Sequence, residues 1–256
     1  MLQLRIAAQL YTVRSMTAVD FPSTVGKLAD MGYRHVELAG YGNLLSAKDV
    51  KAALDQHGLT CCSSHAAIEQ LERNLETVLA DAELIGTNIL VVPWVAPGRR
   101  TSANDWHRFT DTLNHVGKLC RARGFQLAYH HHAFEFDPLD GQTPFEIIWS
   151  QTDPELVKAE LDVYWLAYAG QDPVSWIHRL SNRAILLHLK DLADTPDRRF
   201  AEVGTGVLDF PKILEAARLV GAGWGIVEQD DTYDRPPLES LKMSLDNLKE
   251  LACSTL

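Results

Sequence analysis

The sequence has few cysteines, and no two of them are spaced for a redox or zinc motif. Its 256 residues contain four, Cys61, Cys62, Cys120 and Cys253, and no Cys-x-x-Cys occurs. A disulfide between the adjacent Cys61 and Cys62 would be strained. We therefore expect buried thiols and a reducing compartment, the cytoplasm.

Long apolar runs and an excess of positive charge are also missing. No run approaches the roughly 20 apolar residues of a membrane span, and the first residues lack the apolar core and cleavage site of a signal peptide. The formal net charge is -10, and a surface of that sign repels polyphosphate. We thus expect neither a membrane nor a nucleic acid as a partner.

The sequence does contain a regular alternation of two kinds of segment. Short apolar runs rich in β-branched residues alternate with longer segments of helical period. Glycine follows several of the helical segments, as at Gly32 and Gly86, and Ser46 is placed to cap another. Eight such units predict one domain over residues 1–256, a single (β/α)8 TIM barrel. The rival, a doubly wound sheet, usually has a glycine-rich turn after its first strand, and this sequence has none there.

The expected element bounds follow from this alternation. The predicted strands are 5–10, 34–39, 60–65, 88–93, 125–131, 157–162, 184–190 and 224–229. The predicted helices are 22–31, 46–57, 68–85, 102–123, 143–151, 172–181, 209–220 and 237–252.

Polar side chains gather at the ends of the predicted strands. The active site of a TIM barrel lies at the carboxyl ends of its strands, whereas a purely structural barrel has no reason to bury charges there. The pattern therefore favours an enzyme. The end residues are Gln9, Glu37, His65, Trp94, His130 to His132, Asp162, His188, Lys190, Glu228 and Gln229.

The two-residue period of a strand divides the histidine run at 130–132. His130 and His132 share one face, which we assign to the pocket, and His131 faces the other way, which we assign to packing. By the same argument His188 and Lys190 point in one direction.

Three of the strand-end residues suggest a metal site. Asp162, His188 and Glu228, with one acid near strand five, would form a mixed oxygen and nitrogen set. Such a set suits Mn2+, Co2+ or Mg2+ better than a structural zinc, which prefers thiolates. Taken singly, Asp162 could instead cap a turn, His188 could be a core residue and Glu228 could form an ion pair.

Several long segments, in order along nearly the whole chain, resemble the xylose-isomerase-like sugar phosphate isomerase/epimerase family. They are "QLYTVR", "YHHHAFEF", "LDVYWLAYAGQDP", "LLHLKD", "EVGTGVLDF" and "VEQDD". The second is similar to the Tyr-His-Asn-His-x-x-Glu-Phe subgroup of that family.

The resemblance implies one divalent metal ion, with Mn2+ favoured and Co2+, Mg2+ or Zn2+ as alternatives. Asp162, His188 and Glu228 would be three of its ligands. Many relatives carry Glu at the end of strand five, where this sequence has His130. We predict that the nearby Glu135 is the fourth ligand, with His130 as the alternative.

The resemblance also implies a reaction. It is an isomerisation or epimerisation of a sugar or polyol ketone, by proton abstraction next to the carbonyl through an enediolate. His132 would be an additional base, and Glu135 and Glu228 would be ligands that double as acid/base groups. Lys190 would stabilise an oxyanion, or alternatively pair with Asp162. The expected substrate-binding residues are Gln9, Glu37, His65, Trp94, His130 and Glu202, the last on a loop at 202–210 that we expect to be mobile.

Other functions remain open at this point. The main alternative is a metal-dependent lyase or dehydratase that acts on an inosose or 3-keto sugar by β-elimination. A non-catalytic sugar-binding barrel and an abasic-site endonuclease are less favoured, the latter because of the acidic charge balance. Barrels of this family commonly form homodimers or homotetramers, so we expect one of these assemblies.

Overall fold

Eight parallel strands close into a barrel, which confirms the predicted fold. The computed structural model describes residues 4–254, and the side chains of residues 4–251. The strands are β1 (Arg5–Gln9), β2 (His35–Leu38), β3 (Thr60–His65), β4 (Ile89–Val92), β5 (Gln126–His130), β6 (Val157–Asp162), β7 (Ala184–Leu189), β8 (Asp191–Leu192), β9 (Phe200–Ala201) and β10 (Trp224–Val227). All but β8 and β9 belong to the barrel, in the order β1-β10-β7-β6-β5-β4-β3-β2, and β8 and β9 form a separate antiparallel pair.

Helices connect the barrel strands, and most lie within one or two residues of the predicted bounds. Among residues 4–254, no helix combines the length and apolar character that a membrane crossing requires. The α-helices are α1 (Arg14–Thr17), α2 (Phe21–Met31), α3 (Ala47–Gln56), α4 (Ile68–Ile85), α5 (Ala103–Ala122), α6 (Pro144–Gln151), α7 (Val163–Tyr168), α8 (Pro173–Arg179), α9 (Phe210–Val220) and α10 (Pro237–Ser254). Short 3-10 helices cover Leu10–Val13, Pro97–Arg99 and Phe134–Phe136.

Local capping explains why several helices begin and end where they do. The Ser46 side chain accepts a hydrogen bond from the Asp49 amide at the start of α3. Gly32 ends α2 with a φ of 108°, and Gly86 ends α4 with a φ of 97°. Only glycine adopts such left-handed angles without strain. These are the positions at which the sequence predicted helix ends.

Apolar side chains, most of them small or aliphatic, fill the barrel interior below its carboxyl-terminal mouth. Because these residues exclude water, the polar groups above them lie in a largely desolvated setting. The interior cluster comprises Ala7, Cys62, Val91, Ala128, Leu186, Trp224 and Ile226.

The cysteine prediction is confirmed for the side chains that the structure describes. Cys61, Cys62 and Cys120 are free and buried. Burial raises the pKa of the Cys61 thiol to about 12, so it stays protonated and unreactive. Cys253 lies outside the described side chains.

The strand register brings the polar ends together at one edge. Gln9 pairs with Glu37 across β1 and β2, and Asp162 pairs with His188 across β6 and β7. Side chains at paired positions of neighbouring parallel strands point the same way. The barrel mouth therefore collects the ionisable residues of several strands.

Candidate metal centre

Four buried residues at the ends of neighbouring strands could hold a metal ion. His130 ends β5, Asp162 ends β6, His188 lies on β7, and Glu228 follows β10. One ligand atom from each lies within 4.8 Å of the other three. His188 Nδ1 is 2.8 Å from Glu228 Oε2 and 3.9 Å from Asp162 Oδ2. The His130 Nε2 atom is likewise 3.9 Å from Asp162 Oδ2.

The state of Asp162 supports a cation in this position. Its Oδ1 atom accepts a hydrogen bond from the Trp165 amide and caps α7, whereas its buried Oδ2 atom lies 2.9 Å from the Lys190 ammonium. Burial raises the Asp162 pKa to about 6, although Lys190 and His188 act against this. A buried carboxylate is costly unless a positive charge lies beside it. A divalent cation could share this oxygen with Lys190, and two imidazoles with two carboxylates form a suitable ligand set.

Lys190 lies beside this group and forms ion pairs with three carboxylates. Its Nζ atom is 2.9 Å from Asp162 Oδ2, 2.6 Å from Glu228 Oε2 and 2.6 Å from Asp230 Oδ1. Burial opposes the ammonium charge, but the three acids outweigh it and raise the Lys190 pKa. The alternative that Lys190 pairs with Asp162 is thus observed, as part of a wider cluster.

Glu135, the predicted fourth ligand, lies elsewhere. Its carboxylate accepts hydrogen bonds from the Tyr129 hydroxyl at 2.5 Å and from the His132 amide at 2.8 Å. The 3-10 helix Phe134–Phe136 turns the side chain back onto β5. The structure therefore brings His130, the alternative, into the four-residue group in place of Glu135.

A second polar cluster lies around the Nε2 atom of His188. Glu37 Oε1 is 2.7 Å from this atom and 3.1 Å from His65 Nε2, and Glu160 Oε2 is 3.1 Å from both. Gln9 Nε2 donates to Glu37 Oε1 at 2.7 Å. Burial disfavours a charged His65 ring, but Glu37 and Glu160 together outweigh it and raise the His65 pKa to about 10. Three predicted substrate residues, Gln9, Glu37 and His65, thus contact one another.

His132 and Trp165 meet at the mouth, next to the four-residue group. The His132 ring centroid is 4.9 Å from that of His130 and 5.5 Å from that of Trp165. His132 Nδ1 and Trp165 Nε1 are buried atoms without a hydrogen-bond partner among the residues that the structure describes. Burial, with the charge of Lys190, lowers the His132 pKa well below its usual value, so the ring is neutral at pH 7. His131 packs between Phe136 and Phe145, with ring centroids 5.9 and 5.0 Å away.

Two other predicted substrate residues have different surroundings. Trp94 is 44% exposed, and the Arg100 guanidinium lies 5.5 Å from its ring. Glu202 accepts from the Ser240 hydroxyl at 2.8 Å and pairs with Arg235 at 2.9 Å. These partners lie on α10 and just before it, so the structure ties Glu202 to that helix instead of the barrel centre.

The loop that begins at Glu202 is held by a carboxylate, contrary to the expectation of a mobile segment. The Asp191 side chain accepts hydrogen bonds from the amides of Gly204, Gly206 and Leu208 at 2.9 to 3.1 Å. It also accepts one from the Leu192 amide at 2.8 Å. Three hydrogen bonds from the loop to one buried acid therefore hold it in this conformation.

Sequence reasoning missed two acids that the structure places in these clusters. Glu160 lies two residues before Asp162, and Asp230 lies two residues after Glu228. The two-residue period that was applied to the histidines applies to these acids as well. It would have placed Glu160 on the same face as Asp162.

A closed barrel of eight parallel strands, with carboxylates and imidazoles converging at its mouth, is the architecture of a TIM-barrel enzyme with a divalent metal centre. The sequence pattern of the xylose isomerase-like TIM barrel family matches residues 25–251. The chain belongs to this family, and it is an enzyme.

Individual relatives agree with this assignment. An inosose dehydratase from Geobacillus kaustophilus (strain HTA426) is 27% identical over 271 residues, 89% of this chain and 86% of that protein. A sugar phosphate isomerase/epimerase from Parabacteroides distasonis, known from a crystal structure, is 25% identical in sequence. Its fold matches with a TM-score of 0.84 over 97% of this chain and 94% of that one. The zinc-bound IOLI protein shares the fold, with 13% identity and a TM-score of 0.77 over 99% of both chains. The four-residue group, with two imidazoles and two carboxylates, indicates a divalent metal.

Proposed function

We propose that this enzyme is a metal-dependent dehydratase that removes water from a cyclic polyol ketone of the inosose type. The observation that carries the proposal is the neutral His132 ring, whose buried Nδ1 atom has no partner and which lies beside the four-residue group. The likeness to an inosose dehydratase over most of both chains supports a lyase. We therefore favour β-elimination, the alternative that the sequence left open, over isomerisation.

The ligands of the centre would be His130, Asp162, His188 and Glu228. A divalent ion bound there supplies Lewis acidity toward the substrate carbonyl, which lowers the pKa of the adjacent C–H. We favour Mn2+, with Co2+, Mg2+ and Zn2+ as alternatives.

His132 would carry the proton transfer. Its unprotonated Nδ1 takes the proton from the carbon next to the carbonyl as the C–H bond breaks. The C=C bond then forms as the C–O bond to the β-hydroxyl breaks. Because its pKa is lowered, the His132 imidazolium readily returns this proton to the departing hydroxyl. Water leaves, and the ring is neutral again.

Lys190 has an electrostatic part in this proposal. Its pKa is raised by Asp162, Glu228 and Asp230, so it holds its proton too firmly to act as the acid. Its fixed positive charge would stabilise the negative charge that develops on the carbonyl oxygen. Trp165 Nε1, a donor without a partner, would bind a substrate hydroxyl.

The test is proton NMR in D2O with the Mn2+-loaded protein and a panel of inososes, 3-keto sugars and ketoses. We expect an inosose to lose water, and His132→Ala to lower turnover by roughly 10²- to 10⁴-fold with unchanged Co2+ affinity. Deuterium entering next to the carbonyl without loss of water would identify the second candidate, a sugar isomerase or epimerase. The Parabacteroides distasonis structure favours that candidate. Neither loss of water nor deuterium exchange with any compound of the panel would contradict both.

Four further predictions belong to this proposal. They are a cytoplasmic location, one domain over residues 1–256, a homodimer or homotetramer, and no binding to nucleic acid. Sedimentation velocity tests the predicted assembly, and a gel-shift assay with abasic-site DNA tests whether the protein binds nucleic acid.

A further inference from the structure

The two imidazoles of the proposed centre each have one nitrogen toward it and one away from it. His188 presents Nδ1 to Glu228 and Asp162, and His130 presents Nε2 to Asp162. The nitrogens that face away both approach one atom, Oε2 of Glu160. His130 Nδ1 and His188 Nε2 each lie 3.1 Å from it.

The position of Glu160 follows from the strand register. Glu160 pairs with His130 across β5 and β6, and it lies two residues before Asp162 on the same strand face. Its carboxylate is therefore one layer deeper in the barrel than that of Asp162. It is fully buried.

We propose that Glu160 is a positioning residue of the metal centre, which holds the outward nitrogens of His130 and His188 so that His130 Nε2 and His188 Nδ1 face the ion. Histidine ligands of metals almost always donate their other N–H to an oxygen acceptor, which fixes the tautomer and ring orientation. Here one carboxylate would serve two ligands. The inference rests on the proposed metal centre.

The support that Glu160 gives differs between the two rings. His188 Nε2 also donates to Glu37 Oε1 at 2.7 Å, so this ring has a second acceptor. His130 Nδ1 has no aligned hydrogen-bond partner within the described residues, and Glu160 is the carboxylate beside it. Loss of the Glu160 charge should therefore affect His130 more than His188.

A second cation among Glu37, His65 and Glu160 is the competing explanation. These residues and His188 also lie close enough to share an ion, and Glu160 Oε1 has no partner. However, the Glu37 carboxylate already accepts from Gln9, Ser63 and His188. Each imidazole of this cluster also faces two carboxylates, an arrangement that hydrogen bonds satisfy without an ion. We therefore favour the positioning role.

The test uses the full chain loaded with Co2+, and compares Glu160→Gln with the wild type. We expect one Co2+ per chain in both proteins, with a 10- to 100-fold weaker affinity in the variant. In the Co2+-loaded wild type, the outward N–H protons of His130 and His188 should give two exchangeable, paramagnetically shifted NMR signals. In Glu160→Gln the His130 signal should be lost to exchange with solvent, while the His188 signal stays because Glu37 still accepts it.

Two further variants make the outcome specific. Glu37→Gln should have the opposite effect, shifting the His188 signal and sparing that of His130. Glu215→Gln, an exposed change on α9, should leave affinity and both signals unchanged. Circular dichroism of the metal-free proteins controls for loss of folding.

Three results would overturn the inference. Unchanged affinity and signals in a folded Glu160→Gln would remove the positioning role. Two bound Co2+, one of them lost in Glu160→Gln, would make Glu160 a ligand of a second site. A Glu160→Gln protein that does not fold, while Glu160→Asp folds with full Co2+ affinity and both signals, would show a role in folding alone. If Asp162→Asn leaves Co2+ affinity intact, the metal centre itself is wrong, which separates that failure from this one.

Discussion

The Nζ atom of Lys190 lies 2.6 Å from Oε2 of Glu228, a carboxylate oxygen that is also 2.8 Å from His188 Nδ1. A fixed ammonium therefore competes with a cation for the same charge. Replacing Lys190 by Met should strengthen Co2+ binding, by about tenfold or more, because repulsion of the ion is removed. Turnover should nevertheless fall roughly 10²- to 10³-fold, as when one oxyanion-stabilising group is lost. Isothermal titration and steady-state rates measure the two effects.

The control for this substitution is Lys212→Met. Lys212 is an exposed residue at the start of α9 that pairs with Asp209, so both measurements should match the wild type. Weaker Co2+ binding in Lys190→Met would mean that the ammonium mainly holds the ligand carboxylates in place.

A second prediction concerns the ligand that β5 supplies. His130→Ala should weaken Co2+ binding by more than the roughly 10- to 100-fold expected from loss of an outer partner. Glu135→Gln should leave the affinity unchanged, because Glu135 is bound to Tyr129 and the His132 amide. Titration of the Co2+ absorption bands distinguishes the two. The reverse pattern would restore Glu135 as the ligand that the sequence suggested.

The same residue predicts a pH dependence of stability. Burial raises the Glu135 pKa from 4.5 to about 7, against hydrogen bonds from Tyr129 and His132. Between these values the folded protein keeps a proton that the unfolded chain has lost, so the contribution of Glu135 falls as pH rises. It is fully present below pH 4.5 and lost by about pH 7, a change of about 3 kcal/mol.

The measurement is urea unfolding of the metal-free wild type and Glu135→Gln from pH 4.5 to 8. As pH rises across this window, the unfolding free energy of the wild type should fall relative to that of Glu135→Gln, since Gln does not ionise. Parallel pH profiles would mean that Glu135 does not titrate there.

Much of the barrel follows from local sequence, and the site follows less directly. The bounds of β3 and β6 match the prediction, because both segments end at a polar residue and lie between strong helical segments. Asp162, His188 and Glu228 were identified because each lies at or beside the end of such a strand. The structure brings these three side chains within reach of one another, and their role as metal ligands stays a prediction.

The expectations differ from the structure where tertiary contacts override local pattern. Glu135 was expected to reach the centre, but a 3-10 turn that no capping signal marks directs it to Tyr129. Gly204 and Gly206 were expected to loosen their loop. Asp191, which is distant from them in sequence, accepts hydrogen bonds from both amides and removes that freedom.

The loop around Gly206 provides the last prediction. A Cβ at this position would collide with the Leu192 carbonyl oxygen and lie 2.5 Å from Asp191 Oδ1. Gly206→Ala should therefore displace the loop from Asp191 and lower the unfolding free energy by about 1–3 kcal/mol. Gly98→Ala is the matched control, since a Cβ there would meet nothing within 4 Å. Thermal unfolding of the two variants measures the difference. Because the loop follows directly from the strand pair beside Lys190, equal stability would mean that the Asp191 hydrogen bonds adapt to the added methyl group and do not fix this side of the mouth.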